Sequence, residues 1–169
     1  EILEAATHAG LGVGEVEAEA PRFGAAYQAQ MDRHLPTAHV EALPGAVDLV
    51  RRLRLDGAAL GLLTGNLQPL AYAKVDRIGL GADEFPFGAF GSDHADRNAL
   101  PPIAATRAAA ALGRDVAHED LVVIGDTPLD IACARCVGAL AVAVATGRYD
   151  ADALADADVV LDTLEAFDL

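Results

Sequence analysis

The sequence predicts an α/β fold in which helices cover both faces of a parallel sheet. Short apolar runs rich in β-branched residues alternate along the chain with longer segments of helical periodicity. Two of these runs end in small or acidic residues that can hydrogen-bond a ligand. Ligands of open α/β sheets bind outside the carboxyl ends of the strands. With 169 residues, the chain is long enough for one domain with a small subdomain attached.

The amino-terminal part carries helical patterns without a strand. These patterns cover residues 1–35 and are broken by a glycine cluster at 10–14. We interpret the cluster as a loop between helices, because neither a strand nor a lysine accompanies it. Pro36 and Pro44 bracket a linker. We therefore expect two parts, a small helical subdomain over 1–40 and an α/β domain over 41–169.

The second part alternates between helix and strand patterns. Continuous apolar side chains in the run at 58–63 are typical of a strand that is buried on both faces. The pattern predicts helices over 47–55, 67–79 and 101–112, a helix that begins near Thr127, and strands over 58–63, 121–125, 139–144 and 158–161. Such alternation favours a parallel sheet with crossover helices.

The composition excludes several classes of function. The formal net charge is −14 and the isoelectric point is near 4.5, which argues against a nucleic-acid partner because nucleic-acid binding needs basic patches. No apolar run reaches the length of a membrane span. Cys133 and Cys136 lie inside a predicted helix without further zinc ligands at suitable spacing, so we expect reduced residues that pack the helix. We expect a cytoplasmic protein whose partner is a small molecule.

The segment VVIGDTPLD at 122–130 is the most informative stretch of the chain. A short strand leads into a turn that presents Asp126, and Thr127 and Pro128 are suited to begin the helix that carries Asp130. Two carboxylates four residues apart at a strand end can both reach one hard cation, so the segment favours a Mg²⁺ site. The alternative is that Asp126 and Thr127 only cap the helix and that Asp130 is a solvated acid of its first turn.

The segment LLTGN at 62–66 supplies a complementary feature. Thr64 offers a hydroxyl group at the end of an apolar run, and free backbone N–H groups of Gly65 and Asn66 would form a cradle for an anion. An anion cradle and a cation site on two strand ends of one sheet are what phosphoryl transfer requires.

With both segments in place, the chain resembles the haloacid dehalogenase superfamily, in particular its phosphoglycolate-phosphatase-like branch. Thr64 matches the family's second motif, and Asp126 and Asp130 match the acidic pair of its fourth motif. The resemblance extends from about residue 43 to the end of the sequence. It implies an α/β fold with a three-layer Rossmann-like parallel sheet core and a small helical cap subdomain, of which 1–40 would be a part.

The chain departs from the family pattern in the first motif, an Asp-x-Asp whose leading Asp is the nucleophile. The Asp-x-Asp pairs of this chain, at 150–152 and 156–158, lie in acidic, alanine-rich sequence without a preceding apolar strand. We therefore expect the nucleophile Asp, together with the first strand of the core, upstream of this chain. The 169 residues alone would then lack the nucleophile.

The family's third motif is a Lys, or less often an Arg, that neutralises the nucleophile and the phosphate. Lys74 follows Thr64 by ten residues and falls on the next predicted helix, which is the wrong place for this motif. Arg97 stands where the family usually has its cation, and its planar, permanently charged guanidinium suits a phosphate. The alternative is that Arg97 merely pairs with Asp93 or Asp96 on a surface loop.

The resemblance implies a hydrolase, namely a magnesium-dependent phosphatase that cleaves a small phosphomonoester through an aspartyl-phosphate intermediate. Phosphoglycolate, a sugar phosphate and a nucleoside monophosphate are all compatible substrates. The implied catalytic residues are Thr64, Arg97 and Asp126, the implied substrate-binding residues are Thr64, Gly65, Asn66 and Arg97, and the implied Mg²⁺ ligands are Asp126 and Asp130. The alternatives are a phosphosugar mutase of the same superfamily and a non-catalytic domain that binds phosphate or a protein partner after losing its nucleophile.

Overall fold

The computed structural model describes residues 13–167 of the chain. The chain divides into two compact units, Glu1–His39 and Val40–Leu169. Among the described helices, none combines the length and the apolar character that crossing a membrane would need.

In its described residues, which begin at Val13, the first unit contains one long helix. Helix α1 spans Val13–His34 and is followed by a short 3-10 turn at Leu35–Thr37. The expected loop at the glycine cluster is therefore wrong for positions 13 and 14, which are the first residues of α1. Positions 10–12 of the cluster lie outside the described residues.

The second unit alternates helices and strands, as the sequence predicts. Its helices are α2 (Ala46–Leu55), α3 (Gln68–Arg77), α4 (Leu100–Leu112) and α5 (Pro128–Val137), and its strands are β1 (Gly61–Thr64), β2 (Phe87–Phe90), β3 (Val122–Gly125), β4 (Leu140–Val144) and β5 (Val159–Leu161). Strand β1 begins three residues later than predicted because the end of α2 extends into that segment. Gly57 is left-handed, with φ +85°, and Ala58 N–H donates back to the Leu53 carbonyl at 2.9 Å, which is the pattern of a Schellman helix end.

The strand pairs in the described residues are parallel and form two sheets. Strand β1 pairs with β2, and the other sheet has the order β3–β4–β5. No strand is predicted over 87–90, because the segment FGAF has no β-branched residue and is too short to show alternation. Thr64 and Gly125 end β1 and β3, so the residues that follow them lie at the carboxyl edges of the two sheets.

Strand β4 is buried on both of its faces. Ala141 and Ala143 pack in one cluster with the buried face of α5, where small side chains let helix and strand approach closely. On the other face, Val142 packs with Leu49 and Leu53 of α2. Helices on both faces of parallel strands confirm the predicted α/β class.

Helices α4 and α5 lie beside each other over the two sheets. Helix α4 packs on β1 and β2, α5 packs on β3 and β4, and the two helices contact each other. Within the described part of the chain, β1 has no strand partner except β2, and β3 has none except β4. Both strands therefore have an unpaired edge, and the apolar side chains of Val122 and Ile124 in β3 are exposed.

Candidate active site

The turn after β1 holds the Thr64 hydroxyl in a fixed environment. Its Oγ1 accepts hydrogen bonds from the Asn66 backbone N–H at 3.2 Å and from Asn66 Nδ2 at 2.9 Å. The Asn66 N–H is therefore not the free cradle group that the sequence predicts. Because both lone pairs of the hydroxyl oxygen are occupied, the group that Thr64 has left for a ligand is its O–H donor.

The same turn is packed against the end of β2. The Gly91 N–H donates to the Asn66 carbonyl at 2.9 Å, and a Cβ at Gly91 would overlap the backbone of Gly65. A side chain at position 91 would thus displace the turn that presents Thr64. The ends of β1 and β2 can be in contact because Gly91 has no side chain.

Asp130 connects the end of β3 to the first turn of α5. Its Oδ2 accepts hydrogen bonds from Asp126 N at 3.2 Å, Thr127 N at 3.1 Å and Thr127 Oγ1 at 2.8 Å. Thr127 is the N-cap, and its Oγ1 accepts from Asp130 N at 3.3 Å, so the two residues form a reciprocal capping box. A Cβ at Gly125 would overlap this carboxyl group, which explains the glycine before Asp126.

Arg97 lies between the two strand ends. It begins a 3-10 turn at Arg97–Ala99, which Asp96 caps by accepting the Asn98 N–H at 2.9 Å. Arg97 Nη2 donates to Asp130 Oδ1, and a Cβ built on Gly65 would lie 3.9 Å from Arg97 Nη1. The side chains of Arg97 and Asp130 are only 31% and 12% exposed. Arg97 Nε is buried without a partner among the described residues.

The expected alternative for Arg97, an ion pair with Asp93 or Asp96, is wrong. Asp96 serves as the cap of the 3-10 turn, and Asp93 binds Arg107 of α4 instead. His94 is an exposed loop residue whose Nδ1 accepts the Asp96 N–H at 2.9 Å.

Arg107 and Asp93 form a clamp that holds the loop between β2 and Arg97. The two guanidinium nitrogens of Arg107 donate to Asp93 Oδ2 at 2.7 Å and Oδ1 at 2.8 Å, and Nη1 also donates to the Gly88 carbonyl at 2.7 Å. The hydrogen bonds from Arg107 lower the pKa of Asp93, although partial burial opposes the shift, and the Phe90 N–H at 2.9 Å adds to the lowering. Sequence reasoning missed this clamp, since nothing local marks two residues 14 positions apart as partners.

Asp126 lies beside the residues that follow β4. A Cβ at Gly147 would overlap Asp126 Oδ2 and lie 3.1 Å from its Cγ. The neighbouring Thr146 Oγ1 is buried and has no hydrogen-bond partner among the described residues. The sequence carried a signal for this part of the site, because the Thr-Gly pair at the end of β1, Thr64-Gly65, recurs as Thr146-Gly147 shortly after β4.

The Asp126 carboxylate and the Thr146 hydroxyl are oxygen groups of the kind that a hard cation such as Mg²⁺ prefers. They would supply some of the ligands of such an ion. Mg²⁺ is usually held by one or two carboxylates together with waters and substrate phosphate. Among the described residues, no hydrogen bond or ion pair engages the Asp126 carboxylate, whereas both oxygens of Asp130 already accept hydrogen bonds. The described residues contain no group of three or more His, Cys, Asp or Glu side chains arranged for a metal.

The two cysteines differ in their surroundings. Cys133 is buried under the turn that carries Arg97, and its Sγ donates to the Arg97 carbonyl at 3.5 Å. Burial raises the pKa of the Cys133 thiol, so the neutral form is favoured. Both cysteines are free, as expected, but the expectation that both pack the helix is wrong for Cys136, which is exposed.

Lys74 lies on α3, as the sequence predicts, and reaches the turn after β1. Its Nζ donates to Asn66 Oδ1 at 3.1 Å. The residue is therefore connected to Thr64 through Asn66.

Comparison with known proteins identifies the family of the chain. A family model described as haloacid dehalogenase-like hydrolase matches residues 2–135, a range that includes Thr64, Arg97, Asp126 and Asp130. No curated protein sequence matches the chain.

Several solved structures share the fold. CbbY from Rhodobacter sphaeroides, in complex with phosphate, has a TM-score of 0.66 and 23% identity over 92% of this chain and 66% of that chain. A β-phosphoglucomutase from Clostridium difficile has a TM-score of 0.57 and 19% identity over 75% of this chain and 52% of that chain. A proposed phosphoglycolate phosphatase from Lactobacillus delbrueckii has a TM-score of 0.57 and 29% identity over 72% of this chain and 50% of that chain. The matched region therefore spans between half and two-thirds of these proteins.

Proposed function

The chain belongs to the haloacid dehalogenase-like hydrolases, and we propose that it hydrolyses a small phosphomonoester with the help of Mg²⁺. The observation that carries this proposal is the position of Arg97. Its guanidinium binds Asp130 after β3 and lies beside Gly65 after β1. One cation thereby connects the turn after β1 to the Asp130 carboxylate after β3, and phosphoryl transfer needs the groups of these two strand ends side by side.

The proposed phosphate contacts come from Thr64, Gly65 and Arg97, and Asn66 holds the Thr64 hydroxyl in place instead of contacting the phosphate itself. The Thr64 O–H donates to a phosphoryl oxygen, since its lone pairs are already occupied by Asn66. Arg97 retains a buried Nε without a described partner and offsets negative charge on the phosphoryl group. Gly65 allows the anion to approach the backbone closely, because it has no side chain in the way.

The proposed metal ligand is Asp126, and Asp130 acts beside it. Mg²⁺, when bound, would screen the negative phosphate from the carboxylates and polarise a phosphoryl oxygen. Asp126 would bind the ion through its carboxylate next to Gly147. Asp130 accepts hydrogen bonds from the backbone N–H groups of Asp126 and Thr127 and from the Arg97 side chain. We therefore propose that Asp130 positions Asp126 and Arg97.

The proposed nucleophile is an aspartate on a strand outside the described residues. The unpaired edges of β1 and β3 are suited to accept one further parallel strand, whose end would then lie beside Thr64 and Asp126. The Asp-x-Asp pairs within the chain do not compete for this role. Asp158 accepts hydrogen bonds from Arg135 and from the backbone of Ala141, and Asp150 caps a turn through Ala153 N–H.

Phosphate binding tests the site without requiring the nucleophile. Titration of the 169-residue chain with inorganic phosphate in Mg²⁺, followed by ³¹P NMR, is expected to show saturable binding. The substitution Asp126→Asn should weaken it about tenfold or more, because it removes the charge that holds the metal. Asp115→Asn makes the same charge change at an exposed position before β3 and should leave binding unchanged. Absence of phosphate binding, or equal effects of both variants, would contradict the proposed site.

Hydrolysis is measured separately, with protein purified from its native source. Release of inorganic phosphate from phosphoglycolate, sugar phosphates and nucleoside monophosphates is expected to require Mg²⁺. Conversion of a sugar phosphate to its isomer without phosphate release would point to a mutase. If the phosphate site is intact and no substrate is turned over, the chain is a binding domain.

A further inference from the structure

Lys74 is the only lysine in the chain, and it is tied to the proposed phosphate site by two hydrogen bonds in series. Lys74 Nζ donates to Asn66 Oδ1 at 3.1 Å, and Asn66 Nδ2 donates to Thr64 Oγ1 at 2.9 Å. All three residues are half-buried. The connection runs from the seventh residue of α3 back to the carboxyl end of β1.

The ammonium group determines which way the Asn66 amide points. A lysine side chain has only donors, so it requires the carbonyl oxygen of Asn66 to face it. The amide nitrogen must then face Thr64. If the amide turned over, its oxygen would accept the Thr64 hydroxyl proton instead, and that proton would no longer be available to an anion.

We propose that Lys74 is a positioning residue for phosphate recognition: through Asn66 it keeps the Thr64 O–H pointed at the phosphoryl group. This inference rests on the proposed function, since it assigns a partner to the same phosphate site. The positive charge of Lys74 also favours an anion beside the Thr64 hydroxyl, where the series of hydrogen bonds from Lys74 through Asn66 ends. This contribution opposes the formal net charge of −14 of the protein. Lys74 does not touch the phosphate in this arrangement and acts through Asn66.

The test compares Lys74→Met with a control that loses the same charge elsewhere. Arg54→Met is suitable, because Arg54 lies in the last turn of α2, before the amino end of β1, and pairs with Glu84. Affinity of the 169-residue chain for inorganic phosphate in Mg²⁺ is measured by ³¹P NMR. We expect a loss of about tenfold for Lys74→Met, the scale of one hydrogen bond to a charged group, and less than about twofold for Arg54→Met.

Two further variants separate positioning from a general effect on folding. Lys74→Arg keeps a cationic donor and should retain affinity within about threefold of the wild type. In a chain that already carries Asn66→Ala, Lys74→Met should have no additional effect, because the connecting amide is gone. The side-chain amide protons of Asn66 provide a direct readout, and their NMR signals should shift in Lys74→Met and stay in place in Arg54→Met.

The outcomes distinguish this inference from the proposed function. Equal losses in Lys74→Met and Arg54→Met, or a full effect of Lys74→Met in the Asn66→Ala chain, would overturn the positioning role while leaving the phosphate site in place. Failure of the wild-type chain to bind phosphate would overturn both. If Lys74→Met does not fold, Lys74→Gln takes its place, with an expected loss between those of the Arg and Met variants.

Discussion

Replacement of Gly147 by alanine should weaken metal binding without unfolding the protein. The new methyl group would overlap Asp126 Oδ2 and lie 3.1 Å from its Cγ. The atom that meets the new methyl group is the far end of a short side chain and not backbone. A rotation of the Asp126 side chain that moves Oδ2 by about 1 Å therefore relieves the clash. A rotation away from the preferred rotamer costs about 1 kcal/mol of folding free energy. That corresponds to a melting temperature lower by roughly 3–5 °C for a domain of this size.

The same displacement has a larger effect on a bound ion. A shift of about 1 Å in a positioned group can cost on the order of 100-fold in function. We expect Gly147→Ala to weaken Mn²⁺ binding, used as a paramagnetic substitute for Mg²⁺, by about 10- to 100-fold. Electron paramagnetic resonance measures free Mn²⁺ directly, and calorimetry measures the melting temperature of the same samples.

Gly24→Ala is the matched control for this experiment. Gly24 lies within α1 with nothing within 4 Å of a Cβ built on it, so alanine should be neutral or stabilise the helix by up to about 1 kcal/mol. Unchanged Mn²⁺ affinity in Gly147→Ala would refute the assignment of Asp126 as the metal ligand. A loss of Mn²⁺ affinity in Gly24→Ala as well would show that the effect is not local.

Three further predictions follow from contacts around the site. Asp93→Asn should destabilise the protein by about 1 kcal/mol at neutral pH, since Asp93 is 17% and Arg107 41% exposed and solvent screens the pair. The pKa of Asp93 in the folded protein lies below its ordinary value of 3.8, so this stabilisation is fully present above pH 3.8 and is lost as the pH falls through the folded pKa. The urea unfolding curves of variant and wild type should therefore converge at that low pH. Cys136 should react with a thiol reagent within the native state, and Cys133 only on unfolding; equal rates would contradict the burial of Cys133. Gly91→Ala should cost about 1–3 kcal/mol in thermal unfolding, because its methyl group meets backbone at Gly65 that cannot rotate away, and an unchanged stability would be inconsistent with this contact.

The sequence alone was sufficient for features that are encoded locally. Thr127 is the N-cap of the helix that begins at Pro128, as the sequence predicts, and Thr64 ends a strand as its apolar run predicts. The predicted helices and strands of the second unit are present because their periodicity reflects burial against neighbours that any α/β fold supplies. The family resemblance stated from Thr64, Asp126 and Asp130 is confirmed by the family model.

Contacts between distant segments were not accessible in the same way. Strand β2 has no β-branched residue and is only four residues long, and it is stabilised by pairing with β1 and packing under α4. Arg97 was assigned its place from the resemblance, but its partner, Asp130, is 33 residues away and could not be chosen over nearer acids. Lys74 was set aside because its position along the chain did not suit the third motif, whereas the helix brings it back to Asn66.

An acidic chain can present an anion site because its carboxylates near the site are individually neutralised. Asp130 is paired with Arg97 and surrounded by N–H and O–H donors, and Asp93 is held in two hydrogen bonds by Arg107. Asp126 differs from both, since no salt bridge or hydrogen bond engages its carboxylate among the described residues, and the carboxylate lies against Gly147, which has no side chain to displace it. The field at the strand ends is thus set by local pairs and not by the formal net charge of −14, which is spread over exposed surface and screened there by solvent ions. In the proposed site, the unpaired carboxylate of Asp126 next to the neutralised carboxylate of Asp130 would favour a divalent cation, and the positive charge of that cation would then favour a phosphate.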